Sequence, residues 1–390
     1  MAYRILVTGG VGFIGSHTVD ALVREGNRVR IVDNLSKRVH PHGTPEHLNP
    51  KAELMLGDVR EKGIWEKALN GVDVVYHFAA YQDYLTDFST FFHVNAVSTA
   101  LLYEVLVETG LSAKIKKVIV AASQAVMGEG RHRCPACHPH GGLDLYPSIR
   151  LESQLSRGDW EHRCPVCRGV IQWMPSDESV VHPCNPYALS KHSQEQIALN
   201  MGKRYGIPSV VMRYSIVQGE RQSFYNAYSG AMRIFALSLF FDQRPVIFED
   251  GKQVRDFINI HDVTAANLKV LENDAADGRV FNVGGGIPWT ILDFYQTMQK
   301  TVGKALPPRI PGCYRFGDTR HIVSDITRLR SLGWSPQRTV KDSIEAYWSY
   351  ITGKAVQKEA LERAQAQMAQ MQVIRKVNPQ CFIKNMAKNA

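Results

Sequence analysis

The chain of 390 residues lacks several features that would place it in a special class. It has no run of 18 apolar residues, and we therefore expect no membrane span. Its first apolar run leads into glycines and not into a cleavage site, which excludes a signal peptide of the usual form. Seven cysteines are too few for a secreted disulfide scaffold, and internal repeats are absent. These absences predict a cytoplasmic globular protein with a sizeable buried core.

The net charge of +9 is concentrated at the end of the chain. Residues 353–390 contain seven lysines and arginines against two glutamates, and residues 355–374 have the apolar spacing of a helix. We interpret residues 353–390 as a basic helical tail that packs on its own domain, with a partner-binding helix as the alternative. The remainder is only mildly basic, which suits an anionic small substrate and does not require nucleic acid.

Short apolar runs rich in β-branched residues alternate with helical patterns through the first 125 residues. Such runs are typical of strands that are buried on both faces of a parallel sheet. The predicted strands are 5–8, 29–33, 52–56, 72–80 and 116–123, and the predicted helices are 14–25, 62–69 and 94–110. The pattern predicts the α/β class, with a doubly wound parallel sheet of the Rossmann type.

The α/β pattern stops at residue 129 and returns near Pro186. Residues 129–183 are rich in arginine, histidine, proline, cysteine and glycine and have little periodicity, so we interpret them as an insertion. After it we expect a helix over 186–204, a strand over 209–215 and a second, mixed α/β region. The predicted division is 1–128, 184–212 and about 255–285 for the Rossmann domain, 129–183 for the insertion, 213–254 and 286–352 for a smaller mixed domain, and 353–390 for the tail.

Three glycines follow the first predicted strand and open the first predicted helix. Gly9 permits a tight turn, Gly12 lets a pyrophosphate approach the backbone, and Gly15 allows the helix to pack closely on the strand. The helix N-terminus then offers its NH groups and the positive end of its dipole to the phosphates. An acidic residue about 20 positions further on, Asp33, completes the pattern of a dinucleotide-binding site.

Acidic residues at the ends of the second and third predicted strands indicate the cofactor preference. Asp33 is expected to accept hydrogen bonds from the adenosine ribose, and its charge would repel a 2′-phosphate, which favours NAD over NADP. Lys37 and Arg38 lie close by and weaken that preference. Asp58 is placed to meet the adenine, and the alternative for both aspartates is a helix cap or a turn.

A tyrosine and a lysine lie four positions apart and so face the same side of one predicted helix. They are Tyr187 and Lys191. A phenol with its usual pKa of about 10 is a weak base, and we expect the lysine ammonium and a positive nicotinamide to lower that pKa. Ser123 ends the fifth predicted strand, at the edge where α/β sheets bind ligands. The three residues predict a catalytic set, with an ordinary amphipathic helix as the alternative.

Four of the seven cysteines form two CPxC pairs, Cys134/Cys137 and Cys164/Cys167, with 26 residues between the pairs. In a reducing cytosol such pairs are typical of metal ligands, and two of them complete a tetrahedral site. Four protein ligands leave no open position, so we expect a structural Zn²⁺ ion, with disulfides or reduced thiols as the alternative. The insertion interrupts the catalytic set and must emerge at the rim of the active site, as a lid, a dimer contact or a docking surface.

Many ordered motifs between residues 4 and 325 resemble the extended short-chain dehydrogenase/reductases of the sugar-nucleotide epimerase/dehydratase family. The matching segments are TGGVGFIGSH, DNLS, GDVR, HFAA, HVNAVST, VRDFINIHDV, FNVGGG and RFGDTRHIVSD, together with Ser123, Tyr187 and Lys191. The resemblance implies NAD as the cofactor, and it extends the expected cofactor-binding set to Phe13, Ile14, Asn34, Val59, Phe78, Ala79, Ala80 and Asn95, beside Tyr187 and Lys191. It also implies a homodimer through a four-helix contact of the helices over 94–110 and 186–204.

The resemblance implies oxidation and re-reduction of a nucleotide sugar in one site. The Tyr187 phenolate would remove a hydroxyl proton from the hexose while NAD takes the hydride, with Ser123 on the same oxygen and Lys191 on the nicotinamide ribose. The keto intermediate would rotate and regain the hydride on its other face, which gives epimerisation. Where the related dehydratases have Asp-Glu, this chain has Gln124 and Ala125, so elimination lacks a general acid and 4-epimerisation is favoured.

The nucleotide part of the substrate is expected to bind to the second region. The expected substrate-binding residues are Ser123, Gln124, Tyr187, Ile216, Arg255, Arg315 and Asp318. The two arginines and the aspartate match family positions for the diphosphate and the nucleoside, with surface ion pairs as the alternative. Ile216 and Met127 replace more polar family residues and would suit a 6-deoxy sugar, and packing drift explains them equally well.

The sequence leaves the nucleotide and the sugar open. A branch that resembles dTDP-L-rhamnose 4-epimerases shares the cysteine-bearing insertion and the Arg320-His321 pair, and UDP-glucose or UDP-galactose is the other expectation. Either activity would belong to carbohydrate metabolism and polysaccharide biosynthesis. The alternatives are a nucleotide-sugar oxidoreductase or dehydratase that releases a keto sugar and, of another class, a zinc-ribbon protein that senses nucleotides or binds nucleic acid.

Overall fold

The computed structural model describes residues 2–83, 86–137, 142–225, 230–359, 361–362 and 373–378. The strands within these ranges are β1 (Arg4–Thr8), β2 (Arg28–Asp33), β3 (Glu53–Leu56), β4 (Val74–His77), β5 (Lys117–Ser123), β6 (Arg131–Arg133), β7 (Gln172–Met174), β8 (Ser209–Tyr214), β9 (Ile216–Gln218), β10 (Val254–Asn259), β11 (Val280–Val283), β12 (Pro288–Thr290), β13 (Cys313–Arg315) and β14 (Ile374–Lys376). The α-helices of the same ranges are α1 (Phe13–Arg24), α2 (Lys62–Ala68), α3 (Phe88–Phe91), α4 (Ser98–Glu108), α5 (Glu152–Leu155), α6 (Pro186–Tyr205), α7 (Gly230–Phe240), α8 (Ile260–Leu271), α9 (Ile291–Val302), α10 (Thr327–Arg330) and α11 (Val340–Thr352).

Seven strands form one parallel sheet in the order β11-β8-β5-β4-β1-β2-β3. The order reverses between β1 and β4, because the chain leaves β3 at one edge and re-enters the sheet on the other side of β1. The strand ends Thr8, Asp33, His77, Ser123 and Tyr214 all lie at the same edge, where such sheets bind ligands. The predicted doubly wound α/β fold is confirmed.

The alternation of side chains along each strand explains why helices cover both faces. Ile5 and Val7 of β1 pack on the side of α1 and α8, whereas Leu6 packs on the side of α2, α4 and α6. All three side chains are almost completely buried. A buried aliphatic side chain of this size contributes roughly 1.5–3 kcal/mol, so the two-sided burial holds the sheet and thereby the site at its edge.

A smaller region follows, with its own core and its own sheet. Strands β9 and β10 pair in parallel, and β10 pairs with β12 in the antiparallel sense. Helices α7, α9 and α11 pack around buried aromatic residues, among them Phe294, Tyr295 and Tyr347. This is the mixed α/β region that the sequence predicted after the insertion.

The insertion and the tail contain short strands. In the insertion, β6 and β7 form an antiparallel pair. In the tail, β14 pairs in the antiparallel sense with β13 of the smaller region. The prediction of a helical tail is therefore wrong for Ile374–Lys376, because backbone pairing with an available strand edge replaces the helix there. Residues 360, 363–372 and 379–390 of the predicted tail lie outside the described residues.

The helix before β5 is long and apolar. It runs continuously over Phe88–Glu108, through α3, a π-helical segment at Phe92–Val97, and α4. By length and composition alone this helix is sufficient to cross a membrane, and half of its most apolar window is buried inside the protein. Its π-helical segment holds Asn95, whose side chain donates a hydrogen bond to Ser190 of α6 at 2.9 Å.

Candidate active site

The loop between β1 and α1 has the backbone geometry that its glycines require. Gly9 has φ +67°, in the left-handed region that favours glycine. A Cβ atom on Gly15 would lie 2.1 Å from the carbonyl oxygen of Gly9, so only glycine fits where the helix meets the loop. Helix α1 begins directly after Gly12, and no side chain caps its first NH groups. These NH groups are therefore available to an anion such as a pyrophosphate.

The carboxylate of Asp33 lies at the end of β2 and accepts two backbone hydrogen bonds. Val11 NH donates to Oδ2 at 3.1 Å, and Leu35 NH donates to Oδ1 at 2.9 Å. A carboxylate can accept about four hydrogen bonds. Asp33 can therefore hold the glycine loop and still accept hydrogen bonds from the hydroxyl groups of a ribose. Arg38, which the sequence placed close to a possible 2′-phosphate, is paired with Asp83 and with Tyr81.

Asp58 and Asn34 meet at the ends of β3 and β2. Asn34 donates to Asp58 Oδ2 at 3.1 Å, and Arg60 Nη2 donates to the same oxygen at 2.7 Å. The side-chain hydrogen bond from Arg60 is the main cause that lowers the pKa of Asp58 to about 2. Val59 is buried against the sheet. The turn role that the sequence left open for Asp58 is therefore present, because Arg60 NH also donates to its Oδ1.

Some of the residues after β4 that were expected to bind the cofactor line the cleft, and one lies in the interior. Phe78 and Ala80 line the cleft, and the hydroxyl of Thr8 accepts hydrogen bonds from the NH groups of Phe78 and Ala79. Asn95 is fully buried, donates to Tyr81 O at 3.0 Å and accepts from Tyr81 NH at 2.9 Å. With its remaining NH bound to α6, Asn95 holds this segment in place. Both NH donors of Asn95 are thus engaged within the protein, and its direct contact with the cofactor stays a prediction.

Ser123, Tyr187 and Lys191 come together on one wall of the cleft. Ser123 ends β5, while Tyr187 and Lys191 lie one turn apart on α6. Asn185 caps this helix by accepting from Ala188 NH at 2.8 Å, which fixes the turn that carries the tyrosine. Lys191 Nζ donates to Ala121 O at 2.7 Å and to Gln194 Oε1 at 2.8 Å. Its ammonium is therefore anchored beside β5, next to the tyrosine.

Burial controls the ionisation of this set. Burial raises the pKa of Tyr187 to about 12, and the hydrogen bond with Ser123 lowers it only in part. Burial also lowers the pKa of Lys191 to about 7, with Glu195 acting in the opposite direction. In the protein alone, burial therefore dominates the pKa of Tyr187, and the lowering of that pKa by Lys191 together with a positive nicotinamide stays a prediction.

One cleft of about 500 Å³ brings the two regions of the molecule together. The residues expected to bind cofactor that line it are Gly9, Gly12, Phe13, Ile14, Gly15, Phe78, Ala80, Tyr187 and Lys191. The residues expected to bind substrate that line it are Ser123, Gln124, Tyr187, Ile216, Arg255, Arg315 and Asp318. Gln124 is more than nine-tenths buried, and its Oε1 atom has no hydrogen-bond partner among the described residues. That oxygen is an available acceptor in the cleft.

The two arginines expected to contact the diphosphate already contact other groups of the protein. The Arg255 guanidinium donates to the carbonyl oxygens of Thr319 and Arg320 at 2.6 and 3.0 Å. Arg315 lies 3.7 Å from Asp318 and over the ring of Phe248, at 4.6 Å from the centroid. A guanidinium has five NH donors, so each arginine can hold the loop and still face an anion.

Ile216 and Met127 lie in different environments. Ile216 begins β9 and lines the cleft, whereas Met127 is fully buried with Val180 and Ile322. Met127 is not among the residues that line the cleft. The expectation that both residues make the pocket apolar is therefore wrong for Met127, which packs the insertion against the segment after Arg315.

The four cysteines of the two CPxC pairs converge on one point. Their sulfur atoms all lie within 4.8 Å of one another. Cys134 Sγ lies 3.5 Å from Cys167 Sγ, and Cys137 Sγ lies 3.7 Å from Cys164 Sγ. These distances exclude disulfides between the facing pairs, and the six described cysteines are all free thiols. Backbone NH groups of Cys167 and Val166 lower the pKa of the Cys164 thiol, whereas hydrogen bonds with the other sulfurs, first that of Cys167, raise the pKa of Cys137.

A buried ion-pair network, which was not predicted from the sequence, joins the insertion to the Arg315–His321 segment. Arg150 donates to both carboxylate oxygens of Glu249, at 2.8 and 3.0 Å, and to Asp318 O at 2.8 Å. Arg320, which is fully buried, pairs with Glu249 at 2.7 Å and with Glu161 of the insertion. These contacts hold the backbone of the loop that presents Asp318 to the cleft.

Glu129 is a second residue that the sequence analysis missed. It lies in the cleft wall and is almost completely buried. Its carboxylate accepts from Arg320 NH at 2.8 Å and pairs with His162 Nε2 at 2.9 Å. Burial alone would raise the pKa of Glu129, but the hydrogen bond from His162 lowers it overall. Its partners are 33 and 191 positions away, so a sequence pattern of local spacing could not reveal it.

The chain matches one protein-family model over most of its length. The model of the NAD dependent epimerase/dehydratase family matches residues 5–144 and 170–284. The matched ranges contain the glycine loop, the Ser/Tyr/Lys set and two of the four clustered cysteines. Residues 145–169, which carry Arg150, Glu161 and the other two cysteines, fall between the matched ranges.

Among curated proteins, the chain is similar to sugar-nucleotide epimerases. It is 30% identical over 357 residues to a dTDP-L-rhamnose 4-epimerase of Burkholderia thailandensis, covering 89% of this chain and 94% of that protein. It is also 30% identical over 350 residues to a putative UDP-glucose 4-epimerase of Methanocaldococcus jannaschii, covering 87% of this chain and 96% of that protein.

Solved structures of epimerases have the same fold. A UDP-glucose 4-epimerase of Thermotoga maritima, solved with UDP-glucose, superimposes with a TM-score of 0.71 at 27% identity, covering 90% of this chain and 99% of that one. A UDP-glucuronic acid 4-epimerase of Bacillus cereus, solved with NAD, superimposes with a TM-score of 0.70 at 25% identity, with the same coverage.

Proposed function

The chain belongs to the NAD dependent epimerase/dehydratase family, and on this premise we propose that it is a nucleotide-sugar 4-epimerase that uses NAD. The observation that carries the proposal is the shared cleft. Its walls hold the glycine loop, the Ser123, Tyr187 and Lys191 set, and the arginine loop of the smaller region. A cofactor and a sugar diphosphate can therefore meet at one phenol.

The residues around the glycine loop fit a dinucleotide. The NH groups at the start of α1 suit the pyrophosphate, and Asp33 suits the adenosine ribose. Asp33 and the pairing of Arg38 with Asp83 favour NAD over NADP, because both reduce the attraction for a 2′-phosphate. When bound, NAD supplies an acceptor that takes a hydride from the sugar and gives it back, so that no net cofactor is consumed.

The protein's own groups move the proton and position the sugar. The Tyr187 oxygen takes the proton of the sugar 4-hydroxyl and later returns it, and the Ser123 hydroxyl supports the same oxygen. Lys191 supplies positive charge beside the phenol when it is protonated, and its anchoring on Ala121 O fixes that position. The 4-keto sugar then presents its other face, and the proton and the hydride return to give the 4-epimer.

Epimerisation fits the cleft better than elimination does. Water elimination needs a carboxylic acid beside the leaving hydroxyl, and positions 124 and 125 carry glutamine and alanine. Among the described residues, Glu129 and Asp318 are the carboxylates that line the cleft, and both are engaged. Glu129 is paired with His162, and Asp318 lies 3.7 Å from Arg315. A dehydratase or an oxidoreductase that releases a keto sugar is therefore the less favoured function.

The proposed substrate is a nucleoside-diphosphate hexose, and we favour a dTDP-6-deoxyhexose such as dTDP-L-rhamnose over UDP-glucose or UDP-galactose. Ile216 supports this choice, because it puts an aliphatic side chain into the cleft where a 6-hydroxyl would need a polar partner. Gln124 Oε1, which is buried without a partner among the described residues, suits a sugar hydroxyl. Arg255 and Arg315 suit the diphosphate.

The activity can be tested with a panel of dTDP- and UDP-hexoses and analysis of the product at C4. Tyr187→Phe removes the proton-transfer oxygen, and we expect kcat to fall by about 10²–10⁴-fold. Tyr205→Phe is the matched control, because Tyr205 ends the same helix and is exposed. Normal turnover by Tyr187→Phe, or conversion of none of the sugars by the parent protein, would contradict the proposal.

We further propose that Cys134, Cys137, Cys164 and Cys167 hold a structural Zn²⁺ ion. A tetrahedral site with Zn–S bonds of ~2.3 Å has S···S edges of ~3.8 Å, and the facing sulfur pairs lie at 3.5 and 3.7 Å. All four positions are filled by protein, so the ion would order the insertion and take no part in catalysis. Zinc analysis of the purified chain tests this, and freely titratable thiols with no bound zinc would contradict it.

We also propose a cytoplasmic homodimer that acts in carbohydrate metabolism, such as polysaccharide biosynthesis. Val97 and Leu189 support the dimer, because they are exposed apolar side chains on the two helical stretches expected to form the contact. Leu189→Glu should shift the chain toward the monomer in analytical ultracentrifugation.

The division into a Rossmann domain, an insertion, a nucleotide-sugar-binding domain and a tail, with the bounds predicted from the sequence, remains our proposal for the domain organisation.

A further inference from the structure

Two histidines and a glutamate from three distant segments meet beside the glycine loop. They are His17 of α1, Glu220 of the loop after β9, and His261 of α8. Both Nε2 atoms approach the same oxygen, Glu220 Oε1, at 3.2 Å for His17 and at 2.8 Å for His261. From this group, we propose that the chain binds a divalent transition-metal cation such as Zn²⁺ through His17, Glu220 and His261, at a site separate from the cysteines.

The tautomer of His17 supports a cation at this point. His17 Nδ1 lies 2.9 Å from the carbonyl oxygen of Phe13, and a carbonyl only accepts, so Nδ1 carries the proton. In the neutral ring, Nε2 then presents a lone pair toward the carboxylate of Glu220. A lone pair and a carboxylate oxygen repel each other unless a proton or a cation lies between them. A ring held through Nδ1 by a backbone carbonyl is also the usual orientation of a metal-binding histidine.

The carboxylate has the capacity that a metal ligand needs. The second oxygen, Glu220 Oε2, is buried and has no hydrogen-bond partner among the described residues. The donor atoms of the three residues lie within 4.8 Å of one another, which allows one ion to reach all of them. Two imidazole nitrogens and a carboxylate oxygen are a ligand set that suits zinc and its neighbours in the first transition row.

The exposure of the group leaves room for entry and for further ligands. The exposed fraction of the side chain is 5% for His17, 26% for Glu220 and 44% for His261. The ion would therefore sit against α1 and face solvent on the side of α8. Three protein ligands leave at least one coordination position open, unlike the four-cysteine group. The site is thus expected to exchange its metal more readily than the insertion does.

The position of the group suggests what the metal does. His17 is one turn from Phe13, with the two rings in edge contact at 5.8 Å, and Phe13 lines the cofactor side of the cleft. Glu220 lies two residues after the end of β9, and its loop continues into Gln222, which lines the same cleft. A cation held by all three residues would connect α1, which follows the glycine loop, to α8 and to the loop after β9, and would stabilise the contact between these segments.

The test measures metal binding and does not depend on turnover. The untagged full chain and three variants are dialysed against the same free Zn²⁺ concentration, and bound zinc per chain is measured. We expect Glu220→Gln and His261→Ala each to bind one ion fewer than the parent chain. His93→Ala is the matched control, because His93 is exposed and outside the group, and it should bind as the parent does.

The four cysteines are unchanged in all four proteins, so any zinc that they bind is the same in each. A loss of one ion in a variant therefore reports on the site of His17, Glu220 and His261. Thermal unfolding should show that added Zn²⁺ stabilises the parent chain more than it stabilises either variant. If Glu220→Gln does not fold, His261→Ala decides, since the side chain of His261 is 44% exposed and lies outside the buried core. Equal zinc content in all four proteins would overturn the proposal. The contacts of the two histidines with Glu220 would then be hydrogen bonds or ion pairs without a metal.

Discussion

At the dinucleotide end of the cleft the wall consists of backbone from one short stretch of chain, whereas at the insertion end it is held by side-chain ion pairs between distant segments. The glycine loop depends on Gly9, Gly12 and Gly15 and on the NH groups that follow, with one side-chain contact from Asp33 to Val11 NH. The insertion end needs Arg150, which meets Glu249 at a separation of 99 positions. The first wall therefore depends on the absence of side chains, and the second on the presence of matched charges.

The difference predicts how each wall fails. A backbone wall tolerates no added atom, because the carbonyl that an extra Cβ would meet cannot move away. A wall of buried ion pairs tolerates changes of shape but not the loss of one partner, since the other charge is then left buried and unpaired. Substitutions at the two ends can test this directly.

The largest effect is expected at the glycine loop. Gly15→Ala places a Cβ 2.1 Å from Gly9 O, so the helix must move away from the loop and NAD binding should be lost. NAD binding is measured by fluorescence or by equilibrium dialysis. Gly63→Ala is the matched control, because nothing lies within 4 Å of its added Cβ and it is also on a helix. Normal NAD affinity in Gly15→Ala would contradict the backbone account of this wall.

A smaller effect is expected where the insertion meets the smaller region. Arg150→Met leaves Glu249 short of one partner in a place where both side chains are at most 2% exposed. We expect the free energy of unfolding to fall by about 3–5 kcal/mol and KM for the nucleotide sugar to rise, because Asp318 loses its backbone anchor.

The control for that prediction lies in the same insertion. Arg163 pairs with Asp159 at 2.7 Å, and their side chains are 43% and 31% exposed. Arg163→Met should therefore lower the free energy of unfolding by no more than about 1 kcal/mol. Denaturant unfolding and initial-rate kinetics of both variants compare the two sites. An equal fall in the free energy of unfolding for Arg150→Met and Arg163→Met would contradict the claim that burial makes the ion pairs at the insertion end strong.

The smallest and most specific effect concerns pH and Lys191. Burial lowers the pKa of Lys191 to about 7, from a usual value of about 10.4. Between these values the unfolded chain holds a proton that the folded chain has lost, so this residue makes stability rise with pH. Lys191→Met should remove that rise. The free energy of unfolding of the variant minus that of the wild type should therefore be roughly 1–4 kcal/mol larger at pH 7 than at pH 10.

Denaturant unfolding across this pH range measures the Lys191 prediction. Lys203→Met is the control, because Lys203 lies on the same helix and is exposed. Its unfolding curve should change with pH in the same way as that of the parent chain. A stability difference between Lys191→Met and wild type that does not change from pH 7 to pH 10 would contradict the lowered pKa.

The dinucleotide end was predictable from the sequence because its determinants are local. The glycines and Asp33 lie within one strand–helix–strand unit, and Tyr187 and Lys191 lie one helical turn apart. Each spacing corresponds directly to a position in space, so the expected residues do meet at the edge of the sheet. The parallel sheet itself was predictable because its strands are buried on both faces and consist of short apolar runs.

The remaining features depend on tertiary contacts that no local spacing records. Arg320 and Glu161 are 159 positions apart, and only the folded chain reveals that they pair. Burial raises the pKa of Tyr187 in the protein alone, and the spacing of Tyr187 and Lys191 along the helix does not record that burial. Strand β14 forms because β13 offers it an edge, and Met127 is turned away from the cleft by packing that its neighbours in sequence do not show.

The central claim is that one site removes hydrogen from C4 of the sugar and returns the same hydrogen to the other face. The most direct measurement uses the nucleotide sugar that the panel identifies, labelled with deuterium at C4, and follows the label in the product by mass spectrometry and NMR. The account predicts that the 4-epimer keeps its deuterium and that no NADH accumulates. Exchange of the label with solvent, or release of a keto sugar with stoichiometric NADH, would contradict it.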